Sequence, residues 1–323
     1  MAAPAAPDPA RGRAHVPSGR DYAQLLLLGA IWGGSFLLIK LAIATVPPVT
    51  VAAGRIVIGA LFMGALLAVK GARLPASRLL WAKLALMGTI GTVLPFALIN
   101  WGETHIDSGL AAILMSAVPV LTIGFGHFVR SDERITAGKA LALALGGAGV
   151  LVLIGPDALK GLGSNLLGQL AVLGACCCYA INSLTARGIR GQSAEVVTFC
   201  MLLTAAAAAA PLSLVMDRPW QLDPSLRSVL AVVGLGVLPT ALGYIIAFRI
   251  IASAGAGFAS FNNYLVPVFG VMWGMMLLGE ELQPRALLAL LLIFVGVAAP
   301  RLLAWRRAGP DLKVSPAPPR APR

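Results

Sequence analysis

Two basic side chains stand in stretches that are otherwise hydrocarbon. Lys40 ends the run IWGGSFLLIK (31–40), and Arg55 lies inside AAGRIVIGALFMG (52–64). A charge at the centre of a bilayer costs about 3 kcal/mol or more, so such residues mark a function unless a plainer use is found. The turn TVPPVT (45–50) separates the two, which puts each roughly 8–10 Å inside its helix end at about 1.5 Å per residue. Arg55 keeps its charge at any accessible pH and requires a partner or a water-filled cavity. Lys40 has two uses open to it: contact with a substrate carboxylate, or reaching the outer interface on its flexible stem. The segment SFNNYLVP (260–267) adds Asn262, Asn263 and Tyr264 just ahead of Pro267. Amides in hydrocarbon need hydrogen-bond partners. One asparagine is therefore expected to face a central cavity and the other a neighbouring helix, unless both simply join helices. Trp32 is too deep for an interfacial aromatic belt and reads as helix packing or as a cavity wall.

The acidic residues sharpen this chemistry. No Asp or Glu falls near the middle of an apolar stretch; Glu103, Asp107, Glu280 and Glu281 lie close to expected helix ends, where solvation is the ordinary reading. A carrier exchanging hydrophobic cations for protons normally has a carboxylate at mid-depth. Two embedded cations favour instead a solute bearing a carboxylate or another anionic group. Asn100 and Trp101 are expected near the outer interface, and His127 near the inner end of its span is read as interfacial, with proton coupling the alternative. Cys176, Cys177, Cys178 and Cys200 lack metal or disulfide spacing and read as small packing residues. H-E-x-x-H, G-x-S-x-G and the P-loop G-x-x-x-x-G-K-[ST] are all missing, which argues against a membrane enzyme and against direct ATP drive. No cofactor or metal is implied. The expected partners are a small-molecule substrate and the lipid bilayer, with no nucleic acid; monomer and homodimer both stay open, and Gly270 and Gly274 form a close-packing G-x-x-x-G compatible with either.

The elements that must position these residues follow from composition. The chain of 323 residues is 58% hydrophobic and 12% charged, against about a quarter charged in soluble domains. Its mean hydropathy is +0.86. The fold class expected is an all-α membrane protein. A span needs about twenty mostly apolar residues, and charges, turns and polar breaks delimit ten: 24–45, 49–69, 80–100, 107–129, 137–155, 166–186, 194–215, 227–250, 255–279 and 285–303. The first is too long for the apolar core of a signal peptide. Pro95, Pro119, Pro239 and Pro267 fall within spans, and Pro119 and Pro267 are expected to kink their helices. With the N-terminus cytoplasmic, nineteen of the 25 Lys and Arg lie on the inner side and four on the outer, leaving Lys40 and Arg55 in the spans. That asymmetry predicts both termini in the cytoplasm of a multi-pass cell-membrane protein. Residues 1–21 and 304–323, rich in Ala, Pro and Arg, are expected to be disordered tails.

The two halves repeat. GLAAILMSAVPVLTIG (109–124) aligns without gaps to GFASFNNYLVPVFGVM (257–272) at an offset of 148, and Trp32, Ser35 and Lys40 fall opposite Tyr179, Asn182 and Arg187 at 147. Five spans per repeat is odd, so the copies enter the bilayer from opposite sides, as in transporters that bind substrate near the midplane. This adds Tyr179 and Asn182 to the candidate substrate-binding set of Lys40, Arg55, Trp32, Asn262, Asn263 and Tyr264. AIWGGSFLLIKLAI followed by AAGRIVIGALFMG resembles the opening of the EamA family of the drug/metabolite transporter superfamily. The paired endings, each with an internal proline, an acidic turn and a glycine-spaced last helix, resemble that family's repeat. RSDERI (130–135) departs from it, with Ser131 where the second copy has Gly279. The resemblance implies repeats over 22–155 and 166–303, ten helices, and export of small metabolites or amino acids by alternating access. The alternatives are a nucleotide-sugar or lipid-linked-sugar carrier of related fold, which would need a more polar cavity, and a receptor or scaffold, which the lack of a sizeable soluble segment disfavours.

Overall fold

The computed structural model describes residues 17–129, 137–154, 164–186, 189 and 191–308. Arg187 and RSDERI lie outside that set, as does the side chain of His127. Helices account for the architecture: α1 (Gly19–Ala42), α2 (Pro48–Val69), α3 (Arg78–Gly88), α4 (Leu94–Gly102), α5 (Ser108–Met115), α6 (Val118–Val129), α7 (Ala137–Ile154), α8 (Ser164–Ala186), α9 (Ala194–Met216), α10 (Leu226–Leu235), α11 (Gly243–Ala259), α12 (Asn262–Trp273) and α13 (Pro284–Ala308). A π-helical turn, Thr89–Val93, joins α3 to α4, and another, Gly236–Leu242, joins α10 to α11. Among the described residues seven segments are long and apolar enough to cross a bilayer, and three shorter apolar helices, Ala140–Val152, Asn262–Leu278 and Pro284–Gly296, take the fifth, ninth and tenth places. Large apolar side chains such as Leu61, Leu151 and Met276 point outward and are exposed, as they must be where the surrounding medium is lipid.

Local chemistry sets the ends. α1 begins at Gly19, ahead of the boundary expected at residue 22, because Ser18 and Asp21 form a capping box: Asp21 Oδ2 accepts the Ser18 amide at 2.8 Å and the Ser18 hydroxyl accepts the Asp21 amide at 3.3 Å. α13 likewise continues to Ala308, past the expected boundary. Pro48 occupies the first turn of α2, where its missing N–H costs nothing, and Asp217 from the end of α9 accepts both the amide and the hydroxyl of Thr50. The expected fourth span is interrupted at Ser116–Ala117, whose amides bond three residues back to Ile113 and Leu114; Pro119 follows as the second residue of α6. Pro267 differs, standing inside α12 without a break. The interruption in that span comes earlier, at Ser260–Phe261.

The repeats pack as a two-fold would require. Corresponding helices meet directly, α2 on α9 and α7 on α13, while α1 lies against α12 and α10 much as α8 lies against α6 and α4. Gly33 permits the α1–α12 contact: a Cβ there would sit 2.8 Å from the backbone of both Val266 and Gly270. Gly270 in turn faces Ala112 of α5, so the G-x-x-x-G surface is used within the chain.

Candidate functional site

Arg55 projects from α2 into the meeting point of the two repeats and is only 5% exposed. Its guanidinium stacks on the Phe96 ring of α4 at 3.7 Å from the centroid. Its Nε and Nη2 donate to the Thr240 hydroxyl at 3.3 and 3.2 Å. That hydroxyl donates its own proton to the Leu235 carbonyl at 2.8 Å, so it is free to accept from Arg55 and is fixed in that role. Among the described residues no carboxylate lies within ion-pair distance of Arg55.

Beside it is a cavity of about 370 Å³ lined by α1, α2, α4, α8, α12, the α5–α6 break and the π-turn before α11. Five of the eight residues singled out from the sequence meet there: Trp32, Arg55, Tyr179, Asn182 and Asn263. Trp32 is a wall held in place, its indole donating to the Pro239 carbonyl at 3.0 Å and meeting the Tyr244 ring edge-on at 6.0 Å. Asn182 lies against Gly91 of the other π-turn, where no side chain would fit.

The other three sit elsewhere. Tyr264 packs edge-on against Phe294 of α13, centroids 5.1 Å apart. Asn262 is buried at 2% exposure outside the cavity lining. Lys40 neither reaches the outer interface nor lines the cavity. Its ammonium donates at 2.7 Å to the carbonyls of both Glu103 and Ile106, in the turn between α4 and α5. Of the expected pair of cations only Arg55 lines the cavity, because α1 turns Lys40 toward that turn. Glu103 corrects the sequence reading as well: it is 0% exposed, and neither carboxylate oxygen has a hydrogen-bond partner. Glu280 is not simply solvated either, since it accepts the Ser108 amide and hydroxyl and the Gly109 amide, capping α5.

Sequence reasoning missed Phe96, Thr240 and Tyr244. A signal existed: Thr240 and Tyr244 fall opposite Thr92 and Phe96 at the same offset of 148 that relates the repeats.

Access to the cavity is one-sided. Ser183 and Asn263 in its wall are exposed and Trp32, Ser35 and Tyr244 half-buried, while at its other end Phe36, Ile39 and Ile99 fall to 5%, 1% and 4%. Beyond those three lie Ala42, Val46, Ile106 and Ile113, an apolar plug. The open end is the one at which α1 begins; the plugged end holds the α1–α2 and α4–α5 turns.

The sequence matches the model of the EamA-like transporter family twice, over residues 22–155 and 166–299. A protein of Escherichia coli (strain K12) named "Probable amino-acid metabolite efflux pump" is 28% identical over 303 residues, covering 90% of this chain and 98% of its own. One of Streptantibioticus cattleyicolor named "Probable terminal-alkyne amino-acid exporter" is 26% identical, covering 84% and 90%. A solved crystal structure at 21% identity superposes with a TM-score of 0.64 over 90% of this chain and 99% of that one, which shows a shared fold.

Proposed function

The chain belongs to the EamA-like transporter family, and from that premise we propose that it is a secondary exporter of small carboxylate-bearing solutes, amino acids among them, working by alternating access. The observation that carries this reading is Arg55: a permanent cation inside a cavity, oriented by Phe96 and Thr240 and lacking a carboxylate of its own. A solute carboxylate would complete it with charge-assisted hydrogen bonds. Tyr179, Tyr244 and Asn182 supply neutral donors and acceptors around it. The volume is at the small end of the range for ligand pockets, about 300–1,000 Å³, which fits a solute of amino-acid size and disfavours a nucleotide-sugar. The names of the two relatives support the same class. With both termini cytoplasmic, as the Lys and Arg distribution favours, the open end of the cavity is the loading side of an exporter.

The test is export of amino acids and related acids from cells overproducing the protein, with Arg55→Ala and Arg55→Lys alongside. The expected result is accumulation of at least one such acid outside, lost with Arg55→Ala and reduced with Arg55→Lys. Export that continues unchanged in Arg55→Ala would overturn the assignment.

A further inference from the structure

The α4–α5 turn, residues 103–107, closes the plugged end of the cavity and is held from both sides. Lys40 of α1 binds its carbonyls at Glu103 and Ile106. Glu280, from the connection between α12 and α13, binds the amides of Ser108 and Gly109 at its other end. Under this turn lies the Glu103 carboxyl, 0% exposed, with no donor to either oxygen. Glu103 follows Ile99 by one helical turn, so it stands directly behind the cavity's closed wall.

A carboxylate buried without donors costs several kcal/mol relative to water and escapes that cost by taking a proton. The charged groups facing it do not remove the problem. Burial, with Glu280 in support, outweighs the Lys40 and Arg55 cations that favour ionisation and holds the Glu103 carboxyl well above the usual carboxylate range. Lys40 spends two of its three donors on the two carbonyls, and among the described residues no Lys40–Glu103 ion pair is formed.

We infer that Glu103 is a proton-binding site of the gate at this end: its carboxyl carries a proton while the gate is closed and releases it when the gate opens. Ionisation then does two things together. It makes the dry position untenable, and it offers the Lys40 ammonium a carboxylate in place of the two carbonyls, which frees the α4–α5 turn. The linkage has one sign. A group that binds its proton more tightly in the closed state stabilises that state at low pH and loses this stabilisation as pH rises. The window runs upward from the ordinary glutamate value of about 4.3 to the raised value of the closed gate. This inference rests on the alternating-access reading above and adds to it a proton dependence of the gate opposite the cavity's mouth.

The experiment places spin labels at Ala44→Cys and Thr104→Cys, both exposed on the two turns, in protein whose four native cysteines are replaced by Ala or Ser. Distances are measured in lipid nanodiscs over a pH series upward from about pH 5, above the ordinary glutamate value. In otherwise unaltered protein a short-distance population at low pH should give way to a longer one at high pH. Glu103→Gln should stay short throughout the series, Lys40→Met long throughout, and Glu103→Asp should respond to pH with a displaced midpoint. A Glu103→Gln protein that keeps the full pH response, or no pH response in any variant, overturns the inference. If Glu103→Gln does not fold, an unmoved midpoint in Glu103→Asp overturns it equally. No solute enters this measurement. A pH response without export therefore sinks the proposed function alone, and export without a pH response sinks only the gate.

Discussion

Arg55 has no counterpart in the second repeat: the aligned positions at both offsets, Leu202 and Leu203, are leucines, and Leu202 is fully buried. The duplicated scaffold thus carries one cation, and its two supports come from mirrored positions, Phe96 on one repeat and the neighbourhood of Thr240 and Tyr244 on the other. Hydrogen bonds to a charged group contribute about 1.5–3 kcal/mol, a factor of roughly 10 to 150. We predict that Arg55→Ala weakens apparent affinity for the transported acid by about 10- to 100-fold, measured as KM or Kd in proteoliposomes. Thr240→Val keeps the shape but removes the acceptor that orients the guanidinium. Because Thr240 acts on the solute only by orienting the guanidinium, part of that contribution, about 1 kcal/mol, is expected to be lost, so affinity should fall about fivefold while folded yield is retained. An unchanged KM in Thr240→Val would show that Thr240 does not position Arg55. At this scale Arg55 was legible because a charge in an apolar run is conspicuous. Glu103 was not, since proximity to a helix end says nothing about whether the turn above it is open to water. Only the fold of α1 and the α4–α5 turn over it decides that.

The elements make room for the site through irregularity. The π-turns at Thr89–Val93 and Gly236–Leu242 hold corresponding places in the two repeats, the first followed by Pro95 and the second containing Pro239, and such turns occur often at functional sites. One presents the Pro239 carbonyl to Trp32 and the Thr240 hydroxyl to Arg55; the other leaves Gly91 open to Asn182. Prolines announce these places in the sequence, yet not their form, because Pro267 is absorbed within α12 while Pro119 follows a break. The prediction belonging here concerns close approach. Gly33→Leu would drive a Cβ into the backbone of Val266 and Gly270, and overpacking of this kind costs about 1–3 kcal/mol. A lower Tm and a reduced folded yield in detergent are expected. Gly19→Ala, where nothing lies within 4 Å, should leave Tm in place and serves as the control; equal Tm values for the two variants would contradict the α1–α12 packing.

For the whole molecule, the repeats meet helix to corresponding helix, enclose the Arg55 cavity and leave it accessible from one end. The Lys and Arg distribution predicts that this end faces the cytoplasm, and reporter fusions at the two termini are expected to read cytoplasmic; a periplasmic readout for either would reverse the loading side. Composition and hydropathy dictated the bilayer, the ten spans and the duplication. Those are local properties: the cost of dehydrating a peptide or a charge depends on the residue and its near neighbours. The repeat offset even carried Trp32, Tyr179 and Asn182 to the cavity, since residues at equal depth in inverted copies converge on the same midplane. What the linear order could not decide was direction around each helix and closure between helices. Lys40 is at a depth similar to that of Arg55, yet α1 points it at a backbone turn while α2 points Arg55 into the cavity. Tyr264 and Asn263 are adjacent, and only the packing of α12 against α1 and α13 separates the residue that lines the cavity from the one that meets a neighbouring ring.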